Sequence, residues 1–203
     1  MKTLLIATNN PHKCDEYREI LVDLPLFLVS LAEAGLTLDP AETGTTFTEN
    51  AILKAIAFAQ AADLLTLADD SGLEVDALGG EPGVYSARYG GTAKDDHMGR
   101  YQRVLNKLAG VPWAQRTGRF KCVVALASRA GLIGTAEGTV EGYIALNPAG
   151  SGGFGYDPIF FYPPFHQTLA QISPAQKHSV SHRGRAARAA IALIEQFLKQ
   201  QGK

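Results

Sequence analysis

The opening of the chain restricts its fold more than any other stretch. Residues 3–7 form a short apolar run, stopped at once by Thr8-Asn9-Asn10-Pro11, and a helical repeat follows. A short apolar run bounded by turn residues reads as a buried strand. Asn9 or Asn10 can cap a helix beginning near Pro11, because a side-chain oxygen accepts from the first free amides and proline lacks the N–H that would go unpaired there. Tyr17, Ile20, Leu21 and Leu24 then fall at i, i+3, i+4 and i+7 and predict one apolar stripe. A second short strand near 26–30 completes a β-α-β opening.

The same alternation continues. Thr46 and Glu49 have capping-box spacing, and Phe47, Ala51, Ala55 and Phe58 supply a helical face behind them. Leu64–Ala68 reads as a strand running into Asp69-Asp70-Ser71-Gly72, and the Gly/Pro-rich residues 79–91 as a structured loop. A third helix is expected over 94–108, with Met98, Tyr101, Leu105 and Leu108 aligned. Residues 118–128 and 132–146 read as strands joined by a turn at Arg129-Ala130-Gly131, which predicts an antiparallel pair. Gly150–Pro158 is a glycine-rich loop, and a last helix is expected over 182–199 with Ala187, Ala190, Ile191, Ile194 and Phe197 inward. The mixture predicts an α/β fold with a mixed sheet, free of repeats and linkers.

Composition narrows the function. A net charge of −1 over 203 residues argues against a broad footprint for polymeric nucleic acid, while leaving room for a local site for a small anion. Cys14 and Cys122 lack metal-ligand spacing and read as two ordinary thiols in a reducing compartment. The first apolar run is too short for a signal sequence or a membrane span, so the expectation is a cytoplasmic protein without a membrane partner.

Four segments carry candidate chemistry. Thr8-Asn9-Asn10-Pro11-His12-Lys13 joins a strand end to a helix start, where free amides and the macrodipole favour an anion and Lys13 adds a full charge; a capped helix with a surface lysine is the alternative. Asp69 and Asp70 repel each other unless a cation or hydrogen bonds compensate, so Mg²⁺ binding or a simple turn are the two readings. Strand alternation would send the two carboxylates in different directions, so only one is expected to face a ligand. Gly150-Ser151-Gly152-Gly153-Phe154-Gly155 matches G-x-G-x-x-G in form only. It is followed by Tyr156-Asp157-Pro158, and no acid occurs between Asp157 and Glu195, against the dinucleotide pattern. A base-stacking platform of Phe154 and Tyr156, with Asp157 available to a polar group, and a glycine hairpin with two core aromatics both fit. The acid-free stretch holds His166, Lys177, His178, His182, Arg183, Arg185 and Arg188, a segregated positive segment suited to a polyphosphate; Arg185 and Arg188 read as a solvated helix face.

In this order, TNNPHK at 8–13, ETGTTFTENAILKA at 42–55, ADDSGLEVDALGGEPGVYSARYGG at 68–91, GSGGFGYDPIFF at 150–161 and KHSVSHRGRA at 177–186 resemble the Ham1-type inosine/xanthosine triphosphate pyrophosphatase family over nearly the whole chain. The resemblance implies one ITPase-like domain over 1–203: a homodimeric α/β protein whose elongated mixed sheet with flanking helices carries two lobes around a nucleotide cleft. It implies Mg²⁺-dependent hydrolysis of ITP, dITP and XTP between the α and β phosphates. By resemblance, Asp70 is the catalytic acid, both metal ligand and proton acceptor. The Thr8–Lys13 loop and Lys177 match phosphate-binding positions, and Ser71 a substrate-contacting one. Phe154, Gly155, Tyr156, Asp157, His182 and Arg183 match positions that hold and read the purine. One position departs: the family's first metal-ligand glutamate before Thr-Gly is Ala41 here. Glu42 is carried as the second metal ligand; Asp69, or Asp70 with the triphosphate, are the other ways to compensate. Weak Mg²⁺ binding in the free enzyme is expected. Arg183 or a backbone amide is the expected donor to the purine 6-keto oxygen. The rivals are a hydrolase for other nucleotides and a non-catalytic nucleotide sensor.

Overall fold

A strand, β1 (Lys2–Ile6), leads into a helix, α1 (Pro11–Ile20), and back to a second strand, β2 (Leu26–Ser30). The computed structural model describes residues 2–91 and 96–200. Asn10 is the cap of α1: its side chain accepts from the amides of His12 and Lys13, and Pro11 takes the first helical position. The helix is shorter than its stripe predicts. It closes with Leu21 as its C-cap, and Leu24 reaches the core from the turn beyond.

A second helix, α2 (Phe47–Ala62), starts at Thr46 with both capping-box bonds to Glu49 and buries Phe47, Ala51, Ala55 and Phe58. Next comes β3 (Leu65–Val75): the strand expected to end at Ala68 continues through Asp69–Gly72, so the alternative reading of that segment as a turn does not hold. Neighbouring chain dictates this. A Cβ on Gly72 would lie 2.4 Å from Ser86 Oγ and 2.5 Å from the Gly83 carbonyl, and that same Ser86 hydroxyl accepts from Leu73 N. The glycine admits a close-packed segment instead of reversing the chain.

The remaining elements are α3 (His97–Lys107), β4 (Thr117–Ser128), β5 (Gly131–Ile144), β6 (Phe160–Tyr162), β7 (Gln167–Thr168), α4 (Pro174–Val180) and α5 (His182–Gln200). The expected start of the third helix at 94 lies outside the described residues. Met98 does not join its inner face: it is 68% exposed, while Arg100, Val104, Leu105 and Leu108 are buried. Asp96 caps the helix, and the 3.6-residue period from Arg100 through Val104 to Leu108 turns Met98 outward. Arg129 and Ala130 link β4 to β5, a connection short enough only for antiparallel neighbours. Helix α4 was not expected, although Ser173, Pro174 and Gln176 form a proline-started capping box.

The seven strands form one mixed sheet in the order β2-β1-β3-β4-β5-β6-β7. Strand β1 pairs in parallel with β2 and β3, and β6 pairs antiparallel with β5 and β7. Packing divides the chain into two units. The first holds the residues up to Asp70, Cys122–Gly138 and the segment from His182; the second holds Ser71–Lys121 and Thr139–Ser181. Each has its own core. The first gathers Leu4, Ile6, Tyr17, Leu67, Val124 and the α5 residues Ala187, Ala190 and Ile194; the second gathers Leu73, Val104, Phe120, Val140, Ile159 and Phe160. No helix among the described residues is long and apolar enough to cross a membrane.

Both cysteines belong to the first core. Burial pushes the Cys14 thiol up, and burial with the nearby Asp69 charge pushes Cys122 up to about 12. The thiolate is the reactive form. At pH 8 neither thiol should react with a colorimetric disulfide reagent in the native protein, and both should react once urea unfolds it.

Candidate active site

The first unit places its polar groups where its topology leaves an opening. Because β1 has a parallel partner on either side, the carboxyl end of β1 is a switch point, where ligands enter open α/β sheets. The β1–β3 register ends at Ile6 opposite Leu67, with Ala7 N donating to the Leu67 carbonyl. Asp69 and Asp70 therefore overhang the end of β1, level with the Thr8–Lys13 connection. Within that connection Thr8 Oγ1 accepts from Asn10 N, Asn9 Nδ2 donates to Asp39 at 3.1 Å, and His12 lies exposed in the first turn.

Strand alternation separates the two acids as expected. Asp69 is buried on one side, where its Oδ2 accepts from Lys13 Nζ at 2.9 Å and Arg183 at 3.4 Å, with the Cys122 thiol 3.6 Å away. Burial alone would push this carboxyl up, but Lys13, Arg183 and Lys54 together hold it well below the usual carboxylate range. Its Oδ1 has no hydrogen-bond partner among the described residues, so the charge is held through Oδ2. Arg183, the second residue of α5, is itself 2% exposed. It donates to Glu16 at 2.6 Å and lies with its guanidinium carbon 5.9 Å from the Tyr17 ring centroid. The expectation that Arg183 offers a donor to the purine thus meets a guanidinium committed to two carboxylates, because α5 points it inward between α1 and β3. His182 is buried beside it. The start of α5 sits so close to β5 that a Cβ on Gly138 would lie 2.2 Å from the His182 carbonyl. Arg185 and Arg188 lie on the exposed face of α5.

Asp70 faces a different set. Asn50 Nδ2 donates to its Oδ2 at 3.2 Å and Lys54 Nζ to its Oδ1 at 3.0 Å; the same ammonium lies 2.7 Å from Glu42 Oε1. Burial pushes the Asp70 carboxyl up against the pull of Lys54 and Lys13, and the Glu42 charge adds to the rise. Burial acts to lower Lys54, but Asp70, Asp69 and Glu42 outweigh it and keep the ammonium charged. At the ligand place left by Ala41, Glu42 shares a cation with Asp70, whereas Asp69 is turned to Lys13 and Arg183. Ser71 follows on β3, half-buried.

Neither Asn50 nor Lys54 was singled out from the sequence. A signal existed: both fall beside the apolar stripe of α2, one turn apart, and Asn50 stands at a fully buried position. A polar side chain in a helical core register must find a partner. Glu16 was missed in the same way, as a buried acid on α1.

The second unit assembles another polar group. Asp157 Oδ2 accepts from Phe154 N at 2.8 Å and from Lys177 Nζ at 2.6 Å, and that ammonium lies 4.7 Å from the Phe154 ring centroid. Only glycine allows this at position 153, where φ is +66° and a Cβ would lie 2.1 Å from the Asp157 carboxylate. Asp157, at 2% exposure, holds its own loop and Lys177 rather than standing open to a base. Lys177, expected on phosphate, is buried between a carboxylate and an aromatic face. Tyr156 is a core residue whose hydroxyl donates to the Ser86 carbonyl, so of the two aromatics half-buried Phe154 alone has a ring to offer; Gly155 follows it at φ +64°. A shallow concavity of about 690 Å³ runs along α3 in this unit, lined by Tyr89, Arg103 and Lys107 among others, and contains none of these residues.

Fold and geometry define a class: an α/β protein with buried carboxylates and ammonium groups gathered at a parallel switch point. By sequence, residues 4–193 match the model of the Ham1 family. The chain is 48% identical over 195 residues to the dITP/XTP pyrophosphatase of Bacillus subtilis (strain 168), covering 96% of this chain and 98% of that protein. It is 47% identical over 188 residues to the dITP/XTP pyrophosphatase of Thermus thermophilus, covering 93% and 89%. The solved structure of a HAM1 protein from Coxiella burnetii matches with a TM-score of 0.86 at 38% identity, covering 97% of this chain and all 100% of that one. The chain belongs to the Ham1 family.

Replacing Arg183 tests the buried network directly. Arg183→Leu leaves Glu16 and Asp69 without their guanidinium, and breaking a buried pair from one side costs about 3–5 kcal/mol. Urea unfolding should show that loss; a change under about 1 kcal/mol would mean the carboxylates are not held desolvated.

Proposed function

We propose that this Ham1-family protein hydrolyses dITP, ITP and XTP to the monophosphate and pyrophosphate, removing aberrant purine nucleotides before they enter nucleic acid. The observation that carries the reading is the setting of Asp70: a buried carboxylate at the switch point, hydrogen-bonded by Asn50 and neutralised by an ammonium. The names of the relatives, dITP/XTP pyrophosphatases of nearly equal length, support the substrate class.

Glu42 and Asp70 hold a single cation between them, the Lys54 ammonium, and this donor set fits Mg²⁺, which takes one or two carboxylates and fills its shell with water and substrate phosphate oxygens. When bound, Mg²⁺ supplies neutralisation of the triphosphate charge. The chain's own residues do the rest. Lys13 and the amides at the start of α1 hold phosphate oxygens. Asp70 orients a water at the α phosphorus and accepts its proton as the new P–O bond forms and the α–β bridging bond breaks, releasing pyrophosphate. Phe154 offers a face to the purine, with Lys177 and Asp157 fixing its loop. The 6-keto group that hypoxanthine and xanthine share accepts a hydrogen bond where adenine's amino group cannot. With Arg183 committed to Glu16 and Asp69, the donor is assigned to the backbone of the 152–156 loop. The proposal includes a homodimer working in the cytoplasm, supported by the family resemblance.

Incubated with ITP, XTP, GTP and ATP, the protein should release monophosphate and pyrophosphate from ITP and XTP, and only when Mg²⁺ is present; binding without hydrolysis would instead favour a sensor. Asp70→Asn should lower kcat by about 10²–10⁴-fold, the range for a lost general base, with nucleotide binding largely retained. A kcat near that of the unaltered protein would remove Asp70 from the chemistry.

A further inference from the structure

The ammonium of Lys54 touches the same two carboxylate oxygens that a metal between Glu42 and Asp70 would need. Nζ lies 2.7 Å from Glu42 Oε1 and 3.0 Å from Asp70 Oδ1, and the lysine side chain is only 13% exposed. Magnesium binds oxygen at about 2.0–2.1 Å, so an ion on these oxygens would sit within the volume of the ammonium. Two cations cannot share it, since like charges at such a separation repel strongly wherever water is scarce. The backbone gives no relief: α2 is pinned by its capping box and by buried Ala51 and Ala55. The lysine stem, with its several rotatable bonds, is the part able to move.

We infer that Lys54 is a built-in counter-ion, which neutralises the Glu42–Asp70 pair in the metal-free protein and must swing away before a divalent cation binds. This rests on the metal assignment proposed above and adds a competitor to it. Such competition weakens metal binding to the protein alone. It favours entry of metal and polyphosphate together, because the displaced ammonium then has phosphate oxygens to meet. Weak metal binding by the free protein would then follow from the presence of Lys54 as well as from Ala41.

The test titrates Mn²⁺ into purified full-length protein without nucleotide and measures the free ion by electron paramagnetic resonance. Lys54→Met should bind Mn²⁺ about tenfold more tightly than the unaltered protein, equivalent to about 1.4 kcal/mol. Lys54→Arg, which keeps the charge, should stay at the unaltered affinity, and adding Asp70→Asn to Lys54→Met should abolish the gain. Circular dichroism establishes that each variant is folded. Equal or weaker binding by folded Lys54→Met overturns the counter-ion role. Repeating the titration with non-hydrolysable α,β-methylene inosine triphosphate separates the two levels. If the unaltered protein retains Mn²⁺ with this analogue but Lys54→Met gains nothing without it, the counter-ion role alone falls. If no protein retains Mn²⁺ even with the analogue, the metal assignment falls and the counter-ion role with it.

Discussion

Two adjacent aspartates in the middle of a buried strand set the terms for the first unit. An ionised carboxylate removed from water is costly unless cations and hydrogen bonds replace the lost solvation. Asp69 and Asp70 face opposite ways along β3, so that replacement must be supplied twice. On one side α1 brings Lys13 and α5 brings Arg183; on the other α2 brings Asn50 and Lys54. The placement of three helices against the sheet thus answers one electrostatic requirement as well as the apolar burial along their stripes.

The two solutions differ, and the difference separates scaffold from chemistry. Asp69 is surrounded so closely by cations that it stays ionised under any ordinary condition, which suits a fixed negative anchor. Asp70 is held in a setting where burial raises it against the pull of Lys54 and Lys13, which suits a group that must take up a proton. The second unit repeats the pattern on a smaller scale, with Asp157 as anchor for the Phe154 loop and the Lys177 ammonium.

Much of this was legible before any coordinates. The β-α-β opening, the Asn10 cap and the Thr46–Glu49 box are local features, written in side chains a few residues apart, and the structure follows them. What local pattern leaves open shares a cause. Asp69-Asp70-Ser71-Gly72 has turn composition, yet it is a strand because Ser86 and Gly83 pack against Gly72 from elsewhere in the chain. Tyr156 and Asp157 looked available because nothing local showed what would cover them. Lys54 escaped notice because its meaning depends on acids 12 and 16 residues away that no helical period links to it. Long-range pairing is what a pattern of periods and caps cannot supply.

The bond from Arg183 to Glu16 spans 167 residues. While the chain is being synthesised, β1, α1, α2 and β3 all emerge before α5, so for most of that time Asp69 and Glu16 both lack the Arg183 guanidinium. The early segments can pack their apolar faces, but their buried acids remain a charge defect until the C-terminal helix docks. Loop closure over so long a separation is entropically expensive, though the cost rises only slowly with length. Docking of α5 is therefore the step that gives the anchor carboxylate its guanidinium, and the Asp69 side of the site becomes complete only after residue 183 has been made.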